Sequence, residues 1–243
     1  MQTMAACKKT GTASMHKAMD GSIYYFEFKD SKANFQLAVP GRADESKASP
    51  KPPIPAWARL GCHQCPICTL QNEYFKACPP AYEMAALVEQ FANFNSFETV
   101  VLHLWKKSEH HSIETDLQRA LAYVYPEIFA ASACPFAQLL APLHKFSKPF
   151  PYLDDFMFYA LSFELIGAYL DEGEQREIRQ LALDTDKTQT VIVIFQNLLR
   201  RIRQSSIADA NSNALAIDVH WFCVTHQSQQ FVRNRMQRYF SRQ

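Results

Sequence analysis

Hydrophobic and polar residues follow two different patterns along the chain, and the change between them predicts the fold. Between residues 22 and 39, aromatic and branched residues fill two short runs separated by the polar sequence DSKAN. Such runs favour a β-hairpin. The run FETVVLHLW alternates in a similar way and predicts a strand at 97–105, with a shorter return strand near residues 111–114. We expect these strands to form one small antiparallel sheet.

Helical periodicity dominates the rest of the chain. Pro79 and Pro80 open a predicted helix that continues to about residue 92, with apolar residues at helical spacing. Beyond it the pattern predicts further helices, separated by prolines and by the polar run SSIADANSN. Their expected ranges are 115–131, 135–146, 152–171, 174–203 and 212–240. The predicted fold class is α+β, with the small sheet on the N-terminal side and a mainly helical C-terminal two-thirds.

The same boundaries predict one domain preceded by an arm. Residues 1–21 are compositionally mixed and show no period, so we expect a loose N-terminal arm. Residues 22–243 are expected to form a single α+β domain, in which 22–114 supply the sheet and a cysteine loop and 115–243 supply the helices. The segment TQTVIVIF inside the predicted helix 174–203 is rich in β-branched residues, which leaves a strand open as an alternative there.

Composition and charge narrow the possible partners. The chain has 243 residues, of which 48% are hydrophobic and 20% charged, as expected of a globular protein with a substantial core. A net charge of +1 gives no overall reason to expect nucleic acid as a partner. The C-terminal segment FVRNRMQRYFSRQ is locally basic, but a solvated helix face is the simpler interpretation. We therefore expect a protein partner and no nucleic acid.

Nothing in the sequence predicts export or membrane insertion. The N-terminus has basic residues but lacks the apolar segment of a secretory signal. The most apolar long stretch, residues 156–170, falls short of the ~20 residues needed to span a bilayer. We expect a soluble, cytoplasmic protein without membrane association. In that setting an odd number of cysteines with a C-x2-C pair favours metal binding or free thiols over disulfides.

The chemically most distinctive stretch is residues 61–80, GCHQCPICTLQNEYFKACPP. Cys65 and Cys68 form a C-x2-C pair, a spacing that lets two thiolates approach one tetrahedral ion from a tight turn. Cys78 in the same loop and the distant Cys134 each precede a proline at a predicted helix start, where unpaired backbone N–H groups stabilise a thiolate. We predict that these four cysteines are the ligands of one metal site.

Two neighbouring residues, His63 and Cys62, are further possible ligands. Zinc is the predicted metal, since it takes four thiolates, or three and a histidine, in closed structural sites. A [4Fe–4S] cluster is the alternative, because it also uses four thiolates and Cys-Pro pairs recur beside such clusters. A weaker alternative is a metal-dependent enzyme that keeps one coordination position open.

Motifs of common enzyme classes are missing. The sequence contains no G-x-G-x-x-G, G-x4-G-K-[ST], G-x-S-x-G or H-E-x-x-H. The predicted function is therefore that of a metal-binding protein in which zinc supports a binding or regulatory role. Electron transfer or redox sensing is the alternative function if the centre contains iron and sulfur.

Several of these segments together resemble an uncharacterised bacterial family of domains of unknown function. The segments are HQCPIC at 63–68, ACPP at 77–80, TDLQRALAYV at 115–124, SACPFAQLLAPLHKFSKPFP at 132–151 and DANSNALAIDVHWF at 209–222. Members of that family carry a His-Gln-Cys-Pro-x-Cys motif, then a Cys-Pro, then a Gly-Cys-Pro before a helix. The resemblance extends from residue 22 to about residue 231 and implies the same four cysteines. It departs at Ala133, where the pattern has glycine, and at Cys62, which has no counterpart. The family implies no activity.

Overall fold

A computed structural model describes residues 21–29, 34–40, 53–172 and 185–227. The described strands are β1 (Ser22–Phe28), β2 (Phe35–Val39), β3 (Thr99–Lys106) and β4 (Glu109–Asp116). The described α-helices are α1 (Pro79–Glu83), α2 (Ala85–Gln90), α3 (Leu117–Ala131), α4 (Ala141–Phe146), α5 (Leu153–Glu172), α6 (Thr185–Ile202) and α7 (Ala210–Gln227). One sheet on the N-terminal side and helices over the C-terminal two-thirds confirm the predicted α+β class.

The strands form one antiparallel sheet in the order β2-β1-β3-β4. Tyr24 of β1 lies opposite Leu37 of β2 and Leu104 of β3. Because side chains alternate between the two faces of a strand, the apolar positions gather on one face, which is buried against the helices. The buried apolar side chains of β1 and β3 are Tyr24, Phe26, Phe28, Val100, Leu102 and Leu104. The opposite face carries Tyr25, His103 and Trp105 towards solvent.

Helix α3 connects the two halves of the core. It contacts strands β2, β3 and β4 as well as α7, and α7 in turn packs against α6. Aromatic pairs occur in both halves of this core, one beneath the sheet and one between helices. Phe26 of the sheet lies 5.0 Å from Phe91, measured between ring centroids, and Phe129 of α3 lies 5.4 Å from Phe195 of α6. The β-branched segment TQTVIVIF belongs to helix α6, so the strand alternative there is wrong.

Two predicted helices have a different form in the structure. The helix expected from Pro79 is divided at Met84 into α1 and α2. The single helix expected at 135–146 is wrong: a 3-10 helix spans Ala137–Leu139, and α4 follows. Pro142 explains this break, because it has no N–H with which to continue a helix from the preceding turn, and it is tolerated in the first turn of α4.

Parts of other predictions lie outside the described residues. These are the arm at 1–21 except its last residue, the first part of the helix expected at 174–203, and the end of the helix expected at 212–240 with its arginines. Within the part of the chain that the structure describes, no helix combines the length and the apolarity needed to cross a membrane.

Candidate metal centre

All four predicted ligands line a single cavity. Cys65, Cys68 and Cys78 approach it from the loop, and Cys134 approaches it from the segment that follows α3. Helix α6 closes the other side, with Ile194, Leu198 and Arg201 in the lining. The structure thus brings together residues that the sequence places about seventy positions apart, as the numbering shows.

A tight turn holds the first two cysteines. The backbone N–H of Cys68 donates to the carbonyl oxygen of Cys65 at 2.9 Å. This bond from residue i+3 to residue i closes a β-turn, and Pro66 suits its second position because its ring fixes φ. Both side chains therefore leave the same turn towards the cavity that they line.

Backbone pairing fixes the third cysteine. The N–H of Cys78 donates to the carbonyl oxygen of Ala58 at 2.9 Å, and the N–H of Leu60 donates to the carbonyl oxygen of Lys76 at 3.1 Å. Arg59 and Ala77 form an antiparallel bridge between these bonds. Cys78 is also the residue before α1, and Pro79 occupies the first helical turn, where its missing N–H costs nothing.

The fourth cysteine stands between two helical segments. Its N–H donates to the hydroxyl oxygen of Ser132 at 3.4 Å, and its carbonyl oxygen accepts a hydrogen bond from the N–H of Ala137 at 2.9 Å. Cys134 therefore precedes the 3-10 helix, and not the α-helix start that we expected. It nevertheless lines the same cavity as the other three cysteines.

Burial keeps these thiols protonated in the absence of a bound cation. Removal from water raises the pKa of Cys65 to about 12, with a smaller contribution from Cys78. The same cause raises the pKa of Cys134 to about 11 and also raises the pKa of Cys78. A nucleophilic cysteine needs a lowered pKa, so these three thiols do not resemble the reactive group of a thiol-dependent enzyme. A bound metal ion would favour the deprotonated form instead, because a coordinated thiol loses its proton.

Arg201 places a buried cation beside the four thiols. Its side chain is 1% exposed, and its guanidinium offsets part of the rise in pKa that burial causes at Cys65 and Cys78. Nη1 donates to the carbonyl oxygens of Trp57 at 3.1 Å and Arg59 at 2.7 Å, and Nη2 donates to that of Leu60 at 3.0 Å. The buried Nε has no hydrogen-bond partner among the described residues.

Cys62 and His63 are directed to a different neighbour. The thiol of Cys62 donates to Oε1 of Gln204 at 3.5 Å, and Nε2 of His63 lies 2.6 Å from Nε2 of the same glutamine. Neither residue is part of the cavity lining, and His63 has a positive φ of 42°. Left-handed backbone is uncommon for histidine and marks a constrained turn at the entrance to the loop.

The four cysteines are suitable ligands for a thiolate metal centre, but their sulfur atoms are not arranged around a common position for an ion. As the side chains stand, no group of three or more His, Cys, Asp or Glu residues in the described part of the chain is arranged to hold a metal ion. The cavity nevertheless combines four soft sulfur donors with a buried cation whose Nε is unpartnered. That combination suits an occupant that carries negative charge, as a metal bound by four thiolates does.

Arg201 is the site residue that the sequence analysis missed. Its position next to Arg200 and Arg203 is typical of a basic helix end, which the helix dipole favours without any site. The signal that would have identified it is spacing. Arg201 follows Ile194 and Leu198 at seven and three positions, which places it on the buried stripe of α6.

Comparison with known proteins places the chain in a family. A model of a domain of unknown function, DUF6901, matches residues 22–241. The chain belongs to this family. The resemblance to an uncharacterised family is therefore confirmed, whereas the cysteine pattern attributed to the family stays a prediction. Searches of curated proteins and of solved structures found no match.

Proposed function

We propose that this member of the DUF6901 family binds one metal centre through the thiolates of Cys65, Cys68, Cys78 and Cys134. The centre would tie the cysteine loop to the segment after α3 and to the inner face of α6. Because metal binding and folding are coupled, it would stabilise this side of the molecule. The observation that carries the proposal is the shared cavity of four cysteines and a buried arginine.

Zinc is the first candidate. In a tetrahedral site with Zn–S bonds of about 2.3 Å, the sulfur atoms would lie about 3.8 Å apart. The thiol side chains would have to turn towards a common point to reach that arrangement, since no three donors are placed for an ion as they stand. With four protein ligands the site would be closed, and the protein would act through a binding or regulatory surface on a protein partner.

A [4Fe–4S] cluster is the second candidate, because it also takes four thiolate ligands. Four thiolates around a cubane stand farther apart than four around one ion, because the irons and sulfides lie between them. The mostly apolar lining of the cavity also suits a cluster that must be kept from water. The function would then be electron transfer or redox sensing. A cytoplasmic location, which we propose for either centre, would keep the thiols reduced.

A metal-dependent enzyme is the weakest proposal. It would need three protein ligands and one open position, with His63 or a water molecule near the metal. His63 contacts Gln204 and is not in the cavity lining, so nothing in the arrangement favours this alternative over a closed centre.

Elemental analysis and the visible spectrum of protein purified without air test the proposal. About one zinc per chain and no visible band would support the structural site. Iron with sulfide and a broad visible band that bleaches on reduction would support the cluster. Cys223→Ser is the matched control, because this cysteine lies on α7 outside the cavity lining. Wild-type protein without either metal, even after reconstitution, would refute the proposal.

A further inference from the structure

Arg201 is buried without a matching anion among the described residues. Its side chain is 1% exposed, and the ion pairs of the described residues all join other side chains. A buried charge is expensive unless it is paired. Carbonyl oxygens of Trp57, Arg59 and Leu60 satisfy three of its N–H groups, but they carry only partial negative charge.

One N–H group of Arg201, a residue that lines the cysteine cavity, is left without a partner in the described part of the chain. An arginine has five N–H donors in a fixed plane, and the three carbonyl bonds use only the terminal nitrogens. The buried Nε–H has no partner, and the residue lines the cavity together with the four cysteines.

A four-thiolate centre would supply the missing anion. Four thiolates with a divalent zinc ion carry a net charge of about −2, and so do four thiolates with an oxidised [4Fe–4S] core. One fixed cation beside such a centre compensates about half of its negative charge in the apolar cavity. A hydrogen bond from the same cation to a ligand sulfur also holds that sulfur in place.

We propose that Arg201 is the positioning residue of the metal centre: it compensates the charge of the thiolates and donates a hydrogen bond from Nε to a ligand sulfur. This inference rests on the proposed function. It assigns to α6 a part in metal binding although α6 contributes no ligand. The competing interpretation is that Arg201 only clamps the carbonyls of the segment 57–60.

Two substitutions separate these roles. Arg201→Met removes both the charge and the hydrogen bonds, whereas Arg201→Lys keeps the charge but loses the planar fork that reaches several carbonyls. Arg203→Met is the control, since Arg203 is exposed near the end of the same helix. For each variant, metal affinity is measured by chelator competition, and unfolding of the metal-free protein is measured separately.

Charge compensation predicts that Arg201→Met loses about 10- to 100-fold in metal affinity, as is typical when a residue that hydrogen-bonds to a metal ligand is replaced. Arg201→Lys should keep most of the affinity while its metal-free form becomes less stable. If the centre contains iron, Arg201→Met should also shift the reduction potential to a more negative value, because the added electron loses a neighbouring cation. Arg203→Met should match the wild type in every measurement.

The inference and the proposed function fail in different ways. Wild-type metal affinity and potential in a folded Arg201→Met variant would overturn the inference and leave the metal centre intact. If Arg201→Met does not fold, Arg201→Lys decides: retention of most of the metal affinity supports charge compensation, and a loss of about tenfold or more with the charge still present would overturn it. A wild-type protein that binds no metal would overturn both.

Discussion

Arg201 donates a hydrogen bond from Nη1 to the carbonyl oxygen of Arg59 at 2.7 Å, across a sequence separation of 142 residues. The same carbonyl accepts a hydrogen bond from the N–H of Cys62 at 3.1 Å, and Arg59 forms the bridge to Ala77. Both ends of the cysteine loop are therefore attached to one short segment, and α6 holds that segment. These protein contacts alone fix the backbone at both ends of the loop. A metal centre would therefore need to order mainly the thiol side chains.

Replacement of the distant ligand tests the composition of the centre most directly. We expect Cys134→Ser to lower the bound metal to well below the wild-type content, since a hydroxyl is a poor substitute for a thiolate at zinc or iron. The metal-loaded variant should lose about 2–4 kcal/mol in free energy of unfolding, measured with urea. Full metal content and stability in Cys134→Ser would exclude this cysteine from the site. Cys62→Ser should retain the metal, because Cys62 contacts Gln204.

Metal removal should loosen the cysteine loop in particular. Tyr74 and Phe75 are exposed in that loop, whereas Tyr152 is exposed elsewhere and serves as an internal control. Limited digestion with a protease that cuts after aromatic residues should therefore cleave after Tyr74 or Phe75 about tenfold faster once a chelator has removed the metal. Cleavage after Tyr152 should keep its rate. Equal acceleration at both places would indicate general unfolding and contradict a local role for the metal.

The sequence predicted the parts of the fold that depend on local pattern. Both hairpins follow from alternation, and α3 follows from its 3.6-residue period and from Asp116, whose carboxylate caps the helix by accepting from the N–H of Arg119 at 2.9 Å. The helix predicted at 135–146 ignored Pro142, whose missing N–H ends one helical segment and suits the first turn of the next. The segment TQTVIVIF remained ambiguous because burial against α7 decides its conformation, and sequence pattern does not reveal that contact.

The sequence was enough to predict the four cysteines of the candidate site, but it did not predict the buried positive charge beside them. Cysteine spacing and the Cys-Pro pairs identified the four cysteines that line the cavity. The buried charge of Arg201 depends on tertiary structure, because three carbonyls from a segment more than a hundred residues away accept its hydrogen bonds. Charged side chains are almost never fully buried unless they are paired, so the sequence alone offered no reason to include Arg201 in the site.

A buried hydrogen-bond network joins α3 to α7, and removing the hydroxyl group of Tyr125 from it should lower the stability of the protein. The hydroxyl of Tyr125 donates to Oδ1 of Asn211 at 2.6 Å, and Nδ2 of Asn211 donates to the carbonyl oxygen of Val88 at 3.0 Å. Tyr125→Phe leaves that buried Oδ1 without its donor, which should cost about 1–3 kcal/mol in free energy of unfolding, measured with urea. Tyr152→Phe, at an exposed tyrosine, should change it by less than about 0.5 kcal/mol. A neutral Tyr125→Phe would show that water or rearrangement satisfies Asn211.

His144 should make the protein less stable as the pH falls. The residue itself is partly exposed, but its Nε2 atom is buried without a hydrogen-bond partner. Burial, and then the nearby charge of Lys106, lower the pKa of His144 from 6.5 to about 3. A lowered pKa means that the unfolded chain binds the proton first. The stabilising contribution is therefore complete above pH 6.5 and is lost as the pH falls towards 3.

Comparison of His144→Leu with the wild type measures this contribution. Each pH unit within the window can cost the wild type up to about 1.4 kcal/mol that the leucine variant keeps, because leucine has no proton to gain. The difference in free energy of unfolding should therefore move in favour of the variant as urea titrations proceed from pH 7 to pH 4. Asp218 acts in the opposite sense, since burial raises its pKa, but it is present in both proteins and cancels in the difference. His220→Leu, at an exposed histidine of α7, controls for the general effect of the substitution. Parallel curves for wild type and His144→Leu would mean that His144 takes up its proton equally well in the folded state.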